Sequence, residues 1–130
     1  MLTTGIKGRE TVLVTEANSA KSMGSGLLDV FATPAMTALM EMTAWKSVAP
    51  YLGEGAGTVG TRLDITHDAP TPLGMEVWCE SELTEIDGRR LVFHVAVYDE
   101  KGKIGGGTHE RFIIQNDKFQ AKALKRGEKA

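Results

Sequence analysis

The sequence predicts an α+β fold in which a strongly curved antiparallel sheet wraps one long helix. Three features predict it: an apolar helical segment with clear start and stop signals, four strand-like segments in succession after it, and one strand before it. At 130 residues the chain reads as a single domain over 1–130, long enough to bury one core and too short for a second.

Residues 10–16 alternate loosely and predict the opening strand. Residues 18–29 are polar and glycine-rich around Ser22-Met23-Gly24-Ser25-Gly26, the composition of a loop or a mobile lid. Thr33 has the side chain of an N-cap and Pro34 suits the first helical position, so a helix begins here. It runs to about Ala49, and Pro50 and Gly53 stop it. Ten of the fifteen residues from Ala35 to Ala49 are apolar and they surround most of the helix, so it needs cover on every side. The sheet provides part of that cover and a dimer partner the rest. Strands follow near 57–67, 75–86, 89–99 and 103–115, separated by turn signals at Pro70-Thr71-Pro72, Asp87-Gly88 and Lys101-Gly102. Asp87-Gly88 has the composition of a two-residue hairpin loop. The basic stretch from Lys118 ends the chain as a short helix or a frayed tail.

Composition excludes several functions. Fifteen Lys and Arg against seventeen Asp and Glu leave a formal charge of −2, which offers no basic footprint for nucleic acid. No window approaches the roughly 18 apolar residues of a membrane span. The N-terminus lacks the apolar core of a secretory signal, and the single Cys79 has no internal partner, so a reducing cytoplasm is expected. His67, His94 and His109 show no spacing that recommends a zinc site.

Three residues stand out chemically. Glu41 lies between Met40 and Met42 inside the apolar helix, where a carboxylate is costly unless paired. It is either a structural ion-pair partner or a functional acid or base. By the two-residue period, His67 shares a face with Val59, Thr61, Leu63 and Ile65, which points it inward beside the helix. A lone inward histidine is commonly core, but an inward His with an inward Glu can share a proton near neutral pH. Gly60 interrupts the same strand and marks either a bulge or a place where a ligand approaches the backbone. Gly55 to Gly60 also fits G-x-G-x-x-G, but it follows a helix and leads into a strand, the reverse of a dinucleotide-binding turn. Gly105-Gly106-Gly107 marks a bend in the last strand or a seat for a cofactor chain. In that strand His109 and Arg111 share one face and Glu110 takes the other; Cys79 points to the core and His94 away from it.

Ordered pieces of the sequence resemble the fluoroacetyl-CoA thioesterase family of hot-dog-fold proteins. They include Val30-Phe31-Ala32-Thr33-Pro34, Ala38-Leu39-Met40-Glu41, Val59-Gly60-Thr61 and Ile65-Thr66-His67. Gly88-Arg89-Arg90-Leu91, Gly107-Thr108-His109-Glu110-Arg111 and Lys118-Phe119 continue the resemblance, which covers roughly residues 30–125. It implies a hot-dog fold working as a homodimer or tetramer, and hydrolysis of a short acyl-CoA thioester. No separate cofactor is implied, because coenzyme A is part of the substrate. Thr33, Glu41 and His67 take the catalytic positions, with Gly60 and Arg111 holding the thioester. The fluoroacetyl-specific enzyme carries phenylalanines in a lid over the acyl group. The matching stretch here, Gly24-Ser25-Gly26-Leu27-Leu28, has no aromatic, so hydrolysis is implied without fluoroacetyl selectivity.

Thr33 and Glu41 are eight residues apart, about 12 Å along a continuous helix. Either a ligand spans them, the helix start is irregular, or two subunits combine. A non-catalytic acyl-CoA-binding module, an enoyl-CoA hydratase and a purely structural dimer are the competing readings.

Overall fold

The computed structural model describes residues 1–129. Five strands, β1 (Lys7–Leu13), β2 (Ala56–His67), β3 (Glu76–Asp87), β4 (Arg90–Asp99) and β5 (Gly102–Gln115), form one antiparallel sheet in the order β1-β3-β4-β5-β2. The helix α1 (Thr33–Val48) lies across its inner face, and α2 (Asn116–Arg126) closes the chain. The core forms where Met36, Leu39, Met40, Ala44 and Val48 of α1 meet Val77, Cys79 and Leu83 of β3 and Leu91, Phe93, Val95 and Val97 of β4. Fully burying a side chain of this size contributes about 1.5–3 kcal/mol, so this seam holds helix and sheet together.

The α+β architecture, the central helix and the succession of four strands are as the sequence predicts, and several local features differ. The opening strand begins and ends three residues earlier than 10–16. Beyond Leu13 the chain turns, with the Thr15 amide donating to Asn18 Oδ1 at 2.8 Å and Asn18 Nδ2 donating back to the Leu13 carbonyl at 3.0 Å. Ala32, not Thr33, is the N-cap, and Thr33 is the first residue of a regular helix. The β3–β4 hairpin loop is Gly88-Arg89, one residue later than predicted, with Asp87 paired to Arg90 and Gly88 at φ +60°. The basic tail is helical. Within one chain α1 is buried on one side only, and its other side leaves Ala38 and Trp45 exposed.

The faces of β2 also differ from the simple alternation. A bulge falls at Thr61: Gly60 pairs with Arg111 of β5, Arg62 with Glu110 and Leu63 with His109. One extra residue flips the pattern. Gly60 therefore faces inward with Leu63, Ile65 and His67, while Val59 turns to the other face opposite Phe112. The bend at Gly105 to Gly107 serves the chain's own packing. A Cβ on Gly105 would lie 2.5 Å from the Thr66 carbonyl and 3.0 Å from the Met36 side chain, so the close approach of β2 and α1 requires glycine there.

Candidate active site

The reactive residues form two groups on the inner side of the sheet, one at the start of α1 and one midway along it. At the start, Thr33 Oγ1 and His67 Nδ1 are 2.7 Å apart, a hydrogen bond between helix and sheet edge. The hydroxyl that the sequence recommends as a cap is committed to an imidazole 34 residues away. Burial lowers the His67 pKa below its usual 6.5, more than Asp68 and the backbone at Ala69 raise it, so the ring is neutral at pH 7. Its Nε2 is shut off from solvent and has no hydrogen-bond partner among the described residues.

This pair lines a pocket of about 390 Å³ together with Gly26, Leu27, Leu28 and Phe31. The segment over it is a tied loop: the Ala20 amide donates to the Val30 carbonyl at 2.8 Å and the Lys21 amide to Leu28 at 3.1 Å. Leu27 remains 90% exposed, an aliphatic side chain at the pocket mouth with nothing in its own chain to cover it.

The second group gathers around Gly60. A Cβ there would collide with a Glu41 carboxylate oxygen and would lie 3.3 Å from both Arg111 and His109. Glycine is therefore needed for the helix carboxylate to reach the strand. Glu41 Oε2 lies 3.6 Å from Arg111 Nη1, and the two ends of this ion pair differ: the Arg111 side chain is 6% exposed and that of Glu41 42%. Arg111 is fixed from β2, its Nε donating to Thr58 Oγ1 at 2.8 Å and its Nη2 to the Thr58 carbonyl at 2.9 Å. Burial lowers the Arg111 pKa and the Glu41 charge opposes that shift. The result is an anchored cation that holds an accessible carboxylate in place.

The structure thus brings Thr33 to His67 and brings Glu41, Gly60 and Arg111 together, but it does not join the two groups. Among the described residues Glu41 and His67 form no pair, contrary to the expectation of a shared proton, because Thr33 occupies His67 and Arg111 holds Glu41. The helix between them is regular from Thr33 onward, so its start is not the explanation. Sequence reasoning missed Thr58 as the anchor of Arg111, although it lies two residues before Gly60 on the same face. It left His109 without a role. His94 is exposed, and Cys79 is buried core with its thiol pKa pushed up to about 11 by desolvation. Among the described residues no group of three or more His, Cys, Asp or Glu is placed to hold a metal ion, and no helix is long and apolar enough to cross a membrane.

Comparison with known proteins places this arrangement. Residues 14–117 match the family described as fluoroacetyl-CoA-specific thioesterase. The fluoroacetyl-CoA thioesterase of Streptantibioticus cattleyicolor is 46% identical over 94 residues, 72% of this chain and 68% of that protein. A crystallised fluoroacetyl-CoA thioesterase, FlK, superposes with a TM-score of 0.91 at 34% identity, covering 96% of this chain and 97% of that one. A thioesterase superfamily member from Thermus thermophilus superposes at 0.86 with 28% identity, covering 95% and 93%. With its hot-dog architecture and this match over most of its length, the chain belongs to the fluoroacetyl-CoA-specific thioesterase family.

Proposed function

We propose that this protein hydrolyses a short-chain acyl-CoA thioester to the free acid and CoA, as a cytoplasmic homodimer with no cofactor beyond the CoA its substrate carries. The observation that carries this reading is the division of the reactive groups into two half-sites, about 12 Å apart along one regular helix. Hydrolysis needs an oxyanion donor, a nucleophile or base, and a proton carrier on the same carbonyl. Each half-site holds only part of that set.

A second copy paired through β2 supplies the remainder. Strand β2 is one of the two sheet edges, bonded among the described residues only to β5, and it borders the helix face that leaves Ala38 and Trp45 exposed. An unpaired edge and an uncovered apolar flank both call for a partner. Two β2 strands paired antiparallel about a two-fold axis at Asp64 set Leu63 opposite Ile65 of the partner subunit, with both side chains inward. The Thr61 bulge then absorbs one residue, and Gly60 comes to lie opposite His67 of the partner subunit. Each thioester sits between the Thr33–His67 pair of one protomer and Glu41, Gly60 and Arg111 of the other. Opposed residues of an antiparallel pair lie about 4.5–5.5 Å apart at Cα, within disulfide reach. Asp64→Cys should therefore form an interchain disulfide on mild oxidation, and a variant that stays dimeric without cross-linking would place the axis elsewhere.

In this composite site the Gly60 amide holds the thioester carbonyl and stabilises the charge that develops on its oxygen. Glu41 either attacks the carbonyl carbon, giving an anhydride that water opens, or takes a proton from the attacking water. The carbon–sulfur bond breaks and the thiolate needs a proton. The water that is consumed supplies it: the neutral imidazole of His67 takes up the proton that the water releases and passes it to the thiolate by way of the Thr33 hydroxyl, which faces the pocket. Leu27 and Leu28 give that pocket an aliphatic lining suited to a short acyl chain. Thiol release from a panel of acyl-CoAs of graded length tests the reading, with the highest turnover expected for short chains. Background rates throughout, with thermal stabilisation by the same ligands, would identify a non-catalytic acyl-CoA-binding module instead.

A further inference from the structure

We propose that His109 is a positioning residue for the hydrolysis proposed above: a neutral imidazole, locked between the β2 bulge and Arg111, that aims the guanidinium at Glu41. Its ring is 0% exposed and is stacked on Phe93 with centroids 6.2 Å apart. Nδ1 lies 2.8 Å from the Arg62 carbonyl, at the bulge, and Nε2 lies 3.2 Å from Arg111 Nη1. A carbonyl only accepts and a guanidinium only donates, so both contacts are satisfied by one form of the ring. Nδ1 carries the hydrogen and donates it to Arg62, while Nε2 is bare and accepts from Arg111.

This leaves Arg111 little freedom. Thr58 takes Nε and Nη2 on one edge of the guanidinium, and His109 takes one direction at Nη1. The remaining direction at Nη1 is toward Glu41, 3.6 Å away. Without the imidazole acceptor, a buried N–H of Arg111 is left unpaired and the side chain pivots about Thr58. The charged groups around the ring agree with a neutral state. Arg111 opposes a second positive charge; Glu41 on α1 and Glu110 on the outer face favour one; burial outweighs them and lowers the His109 pKa. Protonation would replace the acceptor by a donor facing a donor.

Two experiments test the assignment. Nitrogen-15 NMR of the histidine rings, with the His109 signals identified by their loss in His109→Gln, should show a neutral ring protonated at Nδ1. A ring protonated at Nε2 overturns the proposal whether or not the protein is a hydrolase. The second is thiol release in a double-mutant series. His109→Asn keeps a donor near Nδ1 but loses the acceptor, and should lower kcat about tenfold with KM nearly unchanged. His109→Gln returns an acceptor near Nε2 and should recover most of the loss. On an Arg111→Met background the change at His109 should cost nothing further, because it acts through Arg111. Losses that multiply in the double variant, or wild-type kcat in His109→Asn, would overturn it. If the asparagine variant does not fold, the protonated nitrogen seen by NMR decides. A silent wild type counts against the proposed hydrolysis, and the NMR result then stands by itself.

Discussion

The two half-sites share one helix and one strand, with β5 adding Arg111 and His109 to the second, and they differ in kind. At the N-terminal end of α1 a hydroxyl and a desolvated imidazole meet beside an aliphatic pocket, with the Asp68 charge raising the ring's pKa less than burial lowers it. Midway along α1 the groups are a carboxylate, a guanidinium and a second imidazole, with the cation buried and the carboxylate within reach of solvent. The first half suits proton exchange near neutral pH, and the second suits holding and attacking a polarised carbonyl.

If both halves act on one thioester, losing either should be about equally severe. Glu41→Gln and His67→Ala should each lower turnover at least about 100-fold, measured as thiol release at saturating substrate. Near-normal rates in both would remove the site assignment, and a large loss in only one would make the other half accessory. A smaller effect is expected at Thr33, which acts beside the imidazole. Thr33→Val removes the hydroxyl and should cost about tenfold, whereas Thr33→Ser keeps it and should stay within about threefold of wild type. Equal losses in both variants would mean that the methyl group, not the hydroxyl, matters at this position.

The mildest difference between the halves should appear in pH dependence. The pKa values of His67 and His109 are both lowered from 6.5 by burial. The unfolded chain therefore takes up protons near pH 6.5 that the folded chain refuses, so stability is lost as pH falls from 6.5 toward the folded values. Thermal unfolding should show a Tm that declines over this range, less steeply in His109→Gln. Turnover by a neutral His67 should hold down to about pH 6.5 and fall only below it. An acid limb centred above 6.5 would contradict a desolvated imidazole.

Much of this was legible in the chain, and the misses have physical causes. The apolar run from Ala35 to Ala49 gives the buried helix, and Glu41 stands out inside it because a carboxylate is costly there. His67 was placed correctly by counting in twos back from the strand end, since the bulge lies on the far side of that count. The same period puts Val59 inward, and the structure turns it outward because one extra residue at Thr61 reverses every side chain before it. Thr33 has the local signature of a cap, and nothing nearby in sequence reveals that its hydroxyl bonds to a strand 34 residues later. That His109 and Arg111 share a face follows from the two-residue period. Their convergence on Glu41 and Thr58 depends on the β2–β5 register, which no local pattern encodes.

The division of one site between two copies can be tested by mixing two inactive proteins. Glu41→Gln and His67→Ala, unfolded together and refolded as an equal mixture, form hybrid dimers in which one of the two sites has an intact Thr33–His67 half from one chain and an intact Glu41 half from the other. Random assortment makes half the dimers hybrids with one working site each, so the mixture should regain roughly a quarter of wild-type turnover. A mixture no more active than its two components would contradict the composite site and return all of the catalytic groups to a single chain.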